Sequence, residues 1–283
     1  MKLIAFLDGS FYSKSVCDHA AWIAGTLGGS VDLIHVLGRQ GESDAPADFS
    51  GSIGLGARTA LLEELAEIDG QVARLKHKQA RAILADARDI IQAAGVSEVN
   101  TLLRNDGIVE TVQEFEKDAG LIIIGKRGER TESDESHLGS NFESVVRASH
   151  RPILVASRSF RPIKRCLIAF DGGVSANKAV SYLAGNPVFN GLECRLLSVS
   201  EPSAKVSKQL EAAAALLRDA GYCVETSIQA GQAEAVICEK ISSDDIDLLV
   251  MGAYGHSRIR NLIIGSTTTA MIRSCKIPVL LFR

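Results

Sequence analysis

Two doubly wound α/β domains in tandem, each built on a five-stranded parallel sheet, are the fold this sequence predicts. The chain is written twice. LIAFLDGS at 3–10 returns as LIAFDGGVS at 167–175, LIIIGKRG at 121–128 as LLVMGAYG at 248–255, and HRPILVAS at 150–157 as KIPVLLFR at 276–283. Three landmarks recurring in one order mark an internal duplication. Within each copy, continuous apolar runs alternate with amphipathic stretches, the pattern of parallel strands covered on both faces by helices. A length of 283 residues suits two such domains. They are expected at 1–157 and 164–283, joined by the short polar link SRSFRPIK.

In the first copy, the apolar run 2–7 reads as a buried strand, 13–28 as a helix and 31–36 as a strand. The Gly-, Ser- and Asp-rich stretch 38–58 then interrupts the repeat and reads as a surface loop, with a lid or partner contact as its functional alternative. A long helix follows over 59–94, ended by Gly95. Its segments LLEEL and RLKHKQARAIL carry an apolar stripe at helical spacing, which reads as core. A strand at 98–103, a helix at 107–118, a strand at 120–124, a helix at 139–148 and a strand at 152–156 complete the copy. The second copy reads as strand 165–170, helix 175–185, strand 193–199, helix 203–220, strand 222–228, helix 231–242, strand 246–251, helix 266–274 and strand 278–282. Asp8 and Asp171 stand 163 positions apart, but Gly125 and Gly252 only 127. The first copy therefore holds about 36 additional residues, assigned to 38–58 and the long helix.

Composition narrows the function. A net charge of −3 gives no electrostatic reason to expect nucleic acid. No apolar run approaches a membrane span. The apolar part of MKLIAFLDGS is too short for a secretion signal, so a cytoplasmic location is expected. The cysteines at 17, 166, 194, 223, 238 and 275 are never closer than fifteen positions, which excludes C-x-x-C chemistry. They read as small buried hydrophobes in a reducing compartment.

The chemistry is concentrated in GAYGHSRIRNLIIGST, Gly252 to Thr267. It follows the strand at 246–251, at the carboxyl edge where open α/β sheets bind ligands. Gly252 and Gly255 let main chain turn sharply and approach a ligand closely. Gly265 precedes a helix start, where free N–H groups and the helix dipole favour an anion. Ser266 and Thr267 add hydroxyls, Ser266 suits the N-cap, and Arg258 and Arg260 add positive charge. The expected occupant is a polyphosphate.

The full constellation is G-x2-G-x9-G-[ST], here Gly252, Gly255, Gly265 and Ser266, with Asp171 in a D-G at the end of the first strand. It resembles the universal stress protein family over essentially the whole chain, as two tandem domains. The resemblance implies a Rossmann-like fold with strand order 3-2-1-4-5 and ATP, with or without Mg²⁺, as cofactor. It implies that Asp171 lies beside the nucleoside, that main chain near Ser198–Val199 holds the adenine, and that the glycine segments hold ribose and phosphates. It also implies that the last strands pair the two halves as an intrachain pseudo-dimer. The role implied is that of a stress-response sensor or regulator with an unknown protein partner, as a monomer or homodimer.

The first half departs from this pattern. Its weaker site comprises Asp8, Gly125, Gly128, Gly139 and Ser140, with ten residues rather than nine between the last two glycines. Glu129, Glu132, Asp134 and Glu135 crowd that gap, and each would repel a phosphate by about 1 kcal/mol in water-like surroundings. Lys126 and Arg127 are expected to offset part of that repulsion.

Other classes fit less well. DGGVS at 171–175 lacks the leading Ser, and the Asp in the right place, of the S-G-G-x-D-S loop of ATP pyrophosphatases. FYSKS at 11–15 is a faint match to a flavin phosphate loop, and Trp22 falls on a core pattern. His256 reads as a solvent-facing loop residue and His35 as a packing or capping one. No Ser-His-Asp or Cys-His set stands out, so a slow ATPase or autokinase and a nucleotide-free scaffold are the alternatives to a binding sensor.

Overall fold

The computed structural model describes residues 1–38, 55–126, 140–253 and 265–283. The first half runs β1 (Lys2–Leu7), α1 (Tyr12–Leu27), β2 (Ser30–Val36), α2 (Leu55–Ala93), β3 (Val99–Arg104), α3 (Ile108–Phe115), β4 (Leu121–Gly125), α4 (Ser140–Ala148) and β5 (Ile153–Ala156). The second runs β6 (Arg165–Ala169), α5 (Val174–Gly185), β7 (Glu193–Val199), α6 (Ala204–Asp219), β8 (Cys223–Gln229), α7 (Ala233–Ser243), β9 (Leu248–Gly252), α8 (Ser266–Ser274) and β10 (Val279–Phe282).

The ten strands among the described residues form one sheet in the order β3-β2-β1-β4-β5-β10-β9-β6-β7-β8. Each half has the order 3-2-1-4-5, and neighbours within a half run parallel. The halves meet edge to edge. β5 and β10 pair antiparallel, with Leu280 opposite Leu154, so no free edge is left at the centre. Leucine, isoleucine and valine fill the inner strands because both faces are covered. One face buries Leu3, Leu154, Ile168 and Leu280 under α1, α2, α5 and α6, and the other, with Ile4 and Leu249, shares a core with Phe142 of α4 and Met271 of α8 and is covered by α3, α4, α7 and α8.

Cations from each half close helix ends of the other. Lys126, only 8% exposed, donates to the carbonyls of Arg273 and Cys275 at the end of α8. Arg283 donates through Nη1 to the carbonyl of Arg147 near the end of α4. Both satisfy carbonyls that a helix C-terminus leaves without partners. Lys126 thus ties its half to the end of α8 across the junction, while the acidic loop 129–135 lies outside the described residues.

The link between the halves is anchored as well. Phe160 stands edge-on to the His19 ring at 4.9 Å and also packs beside half-buried Trp22. His19 is fully buried on α1, with Nδ1 2.7 Å from the Ser15 carbonyl and, among the described residues, no partner at Nε2. A carbonyl only accepts, so Nδ1 carries the proton and Nε2 has an apolar setting. Burial holds the pKa of His19 below its ordinary value. The unfolded chain therefore binds this proton more readily than the folded one. Stability is full above about pH 6.5 and falls as the pH drops from there towards the lowered folded-state value. Denaturant midpoints followed across that range should show the loss, and His19→Asn should flatten it.

Three expectations are corrected. Helix α2 begins at Leu55, so the last four residues of 38–58 are helical rather than loop, and 39–54 lie outside the described residues. The apolar stripe of α2 is core only in its second half, where Ala80, Leu84, Ala87 and Ile91 are buried, whereas Leu61 to Leu75 are exposed. Cys17, Cys166, Cys194 and Cys275 are buried as expected, Cys238 is half-buried, and Cys223 is exposed. Burial pushes the Cys17 thiol up to about 12, so it is no thiolate at neutral pH.

Candidate functional site

The second half reverses its strand order at β6, which has β7 on one side and β9 on the other. The loops leaving these strands therefore meet at one carboxyl edge, with α5 packed on one face of the sheet and α8 on the other.

Asp171 follows β6. Its Oδ1 accepts from the Gly173 amide at 2.8 Å, and Gly172 turns the chain with φ 74°. That left-handed turn suits glycine. Asn177, one turn into α5, donates from Nδ2 to the carbonyls of Gly172 at 3.0 Å and Gly173 at 2.8 Å. These bonds fix the Asp171 loop beside the start of α5. Val199 is the last residue of β7, half-buried, and lies in register with Gln229 of β8.

Gly252 ends β9 and lies opposite Phe282 of β10. The chain re-enters at Gly265, whose amide donates to the carbonyl of Ala253, so strand end and helix start are held together. Thr268 adds a second tie: its hydroxyl, 3% exposed, donates to the Gly252 carbonyl at 3.1 Å. Gly255, Arg258, Arg260 and His256 lie outside the described residues.

Helix α8 begins at Ser266, and its N-cap is Gly265, with no side-chain hydrogen bond to the cap. Sequence reading offered Ser266 for that position; it sits one residue further in. The reason is the main chain of Gly265, which is extended while its carbonyl already accepts from the Thr269 amide. The amides of Ser266, Thr267 and Thr268 therefore precede the first bond of the helix ladder. Ser266 and Thr267 are exposed. Bare cap, unladdered amides and exposed hydroxyls together suit an oxyanion.

Sequence reasoning missed three contributors. Asn177 and Thr268 hold main chain rather than ligand: Asn177 reaches back four and five positions to the Asp171 loop, whereas Thr268 spans sixteen positions to a strand end that only the fold brings near. Lys178 donates from Nζ to the Arg283 carbonyl, which puts a cation beside the end of β10 and hence near Gly252. A shallow depression lined by Gly172, Val174, Asn177, Lys178 and Ser181 opens next to the Asp171 loop.

The first half repeats the Asp loop. Asp8 Oδ1 accepts from the Ser10 amide at 3.0 Å, and Gly9 turns with φ 82°. What covers that loop differs. An added Cβ at Gly9 would meet Ile83 of α2 at 2.7 Å, whereas at Gly172 it would meet Gln209 of α6 at 3.1 Å. An apolar side chain thus closes over the first loop, and a polar one borders the second. Gly125 ends β4 opposite Ala156, and Ser140 opens α4. Gly128 and Gly139 lie outside the described residues.

Among the described residues, no cluster of His, Cys, Asp and Glu is arranged to hold a metal ion, and no helix is long and apolar enough to cross a membrane.

Comparison with known proteins agrees over the whole length. A family profile described as "Universal stress protein family" matches twice, at residues 1–157 and 162–283. The chain is 36% identical over 279 residues to Universal stress protein Slr1230 of Synechocystis sp., which covers 98% of this chain and 97% of that one. A universal stress protein of Mycolicibacterium smegmatis is 23% identical over 304 residues, covering 99% and 96%. Among solved structures, that of a universal stress protein from Archaeoglobus fulgidus matches with a TM-score of 0.73 at 20% identity, covering 100% of this chain and 96% of that one. The last is a likeness of fold.

Proposed function

The chain belongs to the universal stress protein family as a tandem, two-domain member, and from that premise we propose that its second half binds ATP and that the protein acts as a cytoplasmic stress-response sensor. The observation that carries this reading is the start of α8. Gly265 leaves the cap bare, and the amides of Ser266 and Thr267 precede the helix ladder at the carboxyl edge of β9. Those amides and hydroxyls suit a phosphate chain. Asp171, held by its own Asx turn beside the start of α5, is assigned to the nucleoside, and main chain at Val199 to the adenine. Gly252 and Gly255 give the close approach of main chain, and Arg258 offers charge to the phosphates. ATP bound there would bring a polyphosphate whose charge Mg²⁺ commonly shares. The chain's own residues bind and orient it.

The first half is assigned a weakened site. Ile83 lies over Gly9, Lys126 donates to carbonyls at the far end of α8, and the sequence 129–135 carries four carboxylates. Titration of the purified chain with ATP tests the reading. One saturable site per chain is expected. Two equal sites would contradict the assignment of the first half, and no saturable binding would favour a scaffold of the same fold.

A further inference from the structure

Helix α2 is longer than its fold needs. It has 39 residues, whereas its counterpart α6 covers the same region of the second half with 16. The packing of α2 is done from Ala80 onward, through Ala80, Leu84, Ala87 and Ile91. Before that point Leu61 is 46% exposed, Leu65 44%, Ile68 48%, Val72 42% and Leu75 63%. Their spacing is four, three, four, three, the seam of a helix that pairs with another helix. A stripe of five large apolar residues left in water on a projecting helix is a recognition surface rather than scatter.

We infer that this stripe pairs antiparallel with α2 of a second copy of the chain. The charges choose both occupant and direction. The stretch 63–69 holds Glu63, Glu64, Glu67 and Asp69, and the stretch 74–81 holds Arg74, Lys76, Lys78 and Arg81. An acidic segment followed by a basic one on one helix is complementary to itself when reversed. Antiparallel alignment about the middle of the stripe stacks Leu65 on Leu75 of the second copy and Ile68 on Val72 of the second copy. It sets Glu64 beside Lys78 of the second copy, and by symmetry the reverse, at the positions flanking the seam. Parallel pairing would instead set Glu64 against Asp69 of the second copy. This surface lies apart from the nucleotide reading, and its test is independent of ligand.

The test is the mass of the full chain in solution by sedimentation velocity, over a wide concentration range without nucleotide. Twice the chain mass is expected, falling to the single mass in Leu65→Glu/Ile68→Glu. Both positions are exposed, so thermal melts of that variant should match the parent in its dissociated form. Glu64→Lys alone and Lys78→Glu alone should each weaken the dimer at least about tenfold, and Glu64→Lys/Lys78→Glu should restore it. A single-chain mass at every concentration overturns the proposal, and so does a dimer that survives Leu65→Glu/Ile68→Glu. Failure of the double charge reversal to restore pairing overturns the antiparallel arrangement. A chain that stays single and floats with anionic vesicles would assign the stripe to a lipid surface instead.

Discussion

Gly265→Asp weakens ATP binding by about 10- to 100-fold and leaves the folded chain as stable as before. The two halves of that result have separate causes. Gly265 occupies the N-cap of α8 with φ −56° and ψ 141°, an extended conformation that any residue adopts. Aspartate is among the preferred N-cap residues, and exchanging it with glycine there changes helix stability by only a few tenths of a kcal/mol. The same carboxylate, however, would accept from the amides of the first turn and occupy the anion position itself. It would also repel phosphate by about 1 kcal/mol per close charge pair in water-like surroundings and by more where solvent is thinned. A loss of about 1.4 kcal/mol is tenfold in affinity, so one or two such terms give the stated range. Calorimetric titration reads the affinity and a thermal melt the stability. Unchanged affinity with unchanged stability would remove the α8 start from the account.

Leu280→Ala lowers the stability of the whole chain by about 2–5 kcal/mol, in one transition rather than two. Leu280 is fully buried in β10, opposite Leu154 of the first half and in register with Val250 of the second. Truncating it opens a cavity on the seam where both halves share one core. Denaturant unfolding followed by far-ultraviolet circular dichroism and by Trp22 fluorescence should shift together, because Trp22 reports the first half and the lesion lies in the second. A Trp22 transition left in place while the other moves would show that the halves fold independently.

Much of this was legible from local pattern. The helix expected at 266–274 is α8, Ser266–Ser274, because a glycine and a run of hydroxyl residues separate it sharply from what precedes. Boundaries failed where distant groups decided them. The strand expected at 246–251 begins at Leu248; just before it, the Asp247 carboxylate accepts from the amides of Lys164 and Arg165, 83 and 82 positions away. The helix expected at 107–118 stops at Phe115 and tightens into a 3₁₀ turn at Glu116–Asp118, where Arg151 draws on the carbonyls of Glu116 and Lys117.

The site was legible to a similar degree. The D-G turns and the glycine before α8 speak through backbone conformation, which sequence encodes directly. The ties of Lys126 across the junction were not legible because those partners are 147 and 149 positions away. Thr268 was passed over because its task, clipping Gly252, exists only once β9 and α8 are side by side. The exposed half of α2 carries the same periodicity as a buried helix, and only its length against α6 reveals that nothing among the described residues covers it.

The most direct measurement is a crystal structure of the full chain grown with a non-hydrolysable ATP analogue. The account predicts phosphates on the amides of Ser266 and Thr267, with the base beside Val199 and the ribose near Asp171. Analogue bound only in the first half, or a start of α8 filled by the protein's own side chains in the presence of saturating analogue, would contradict it.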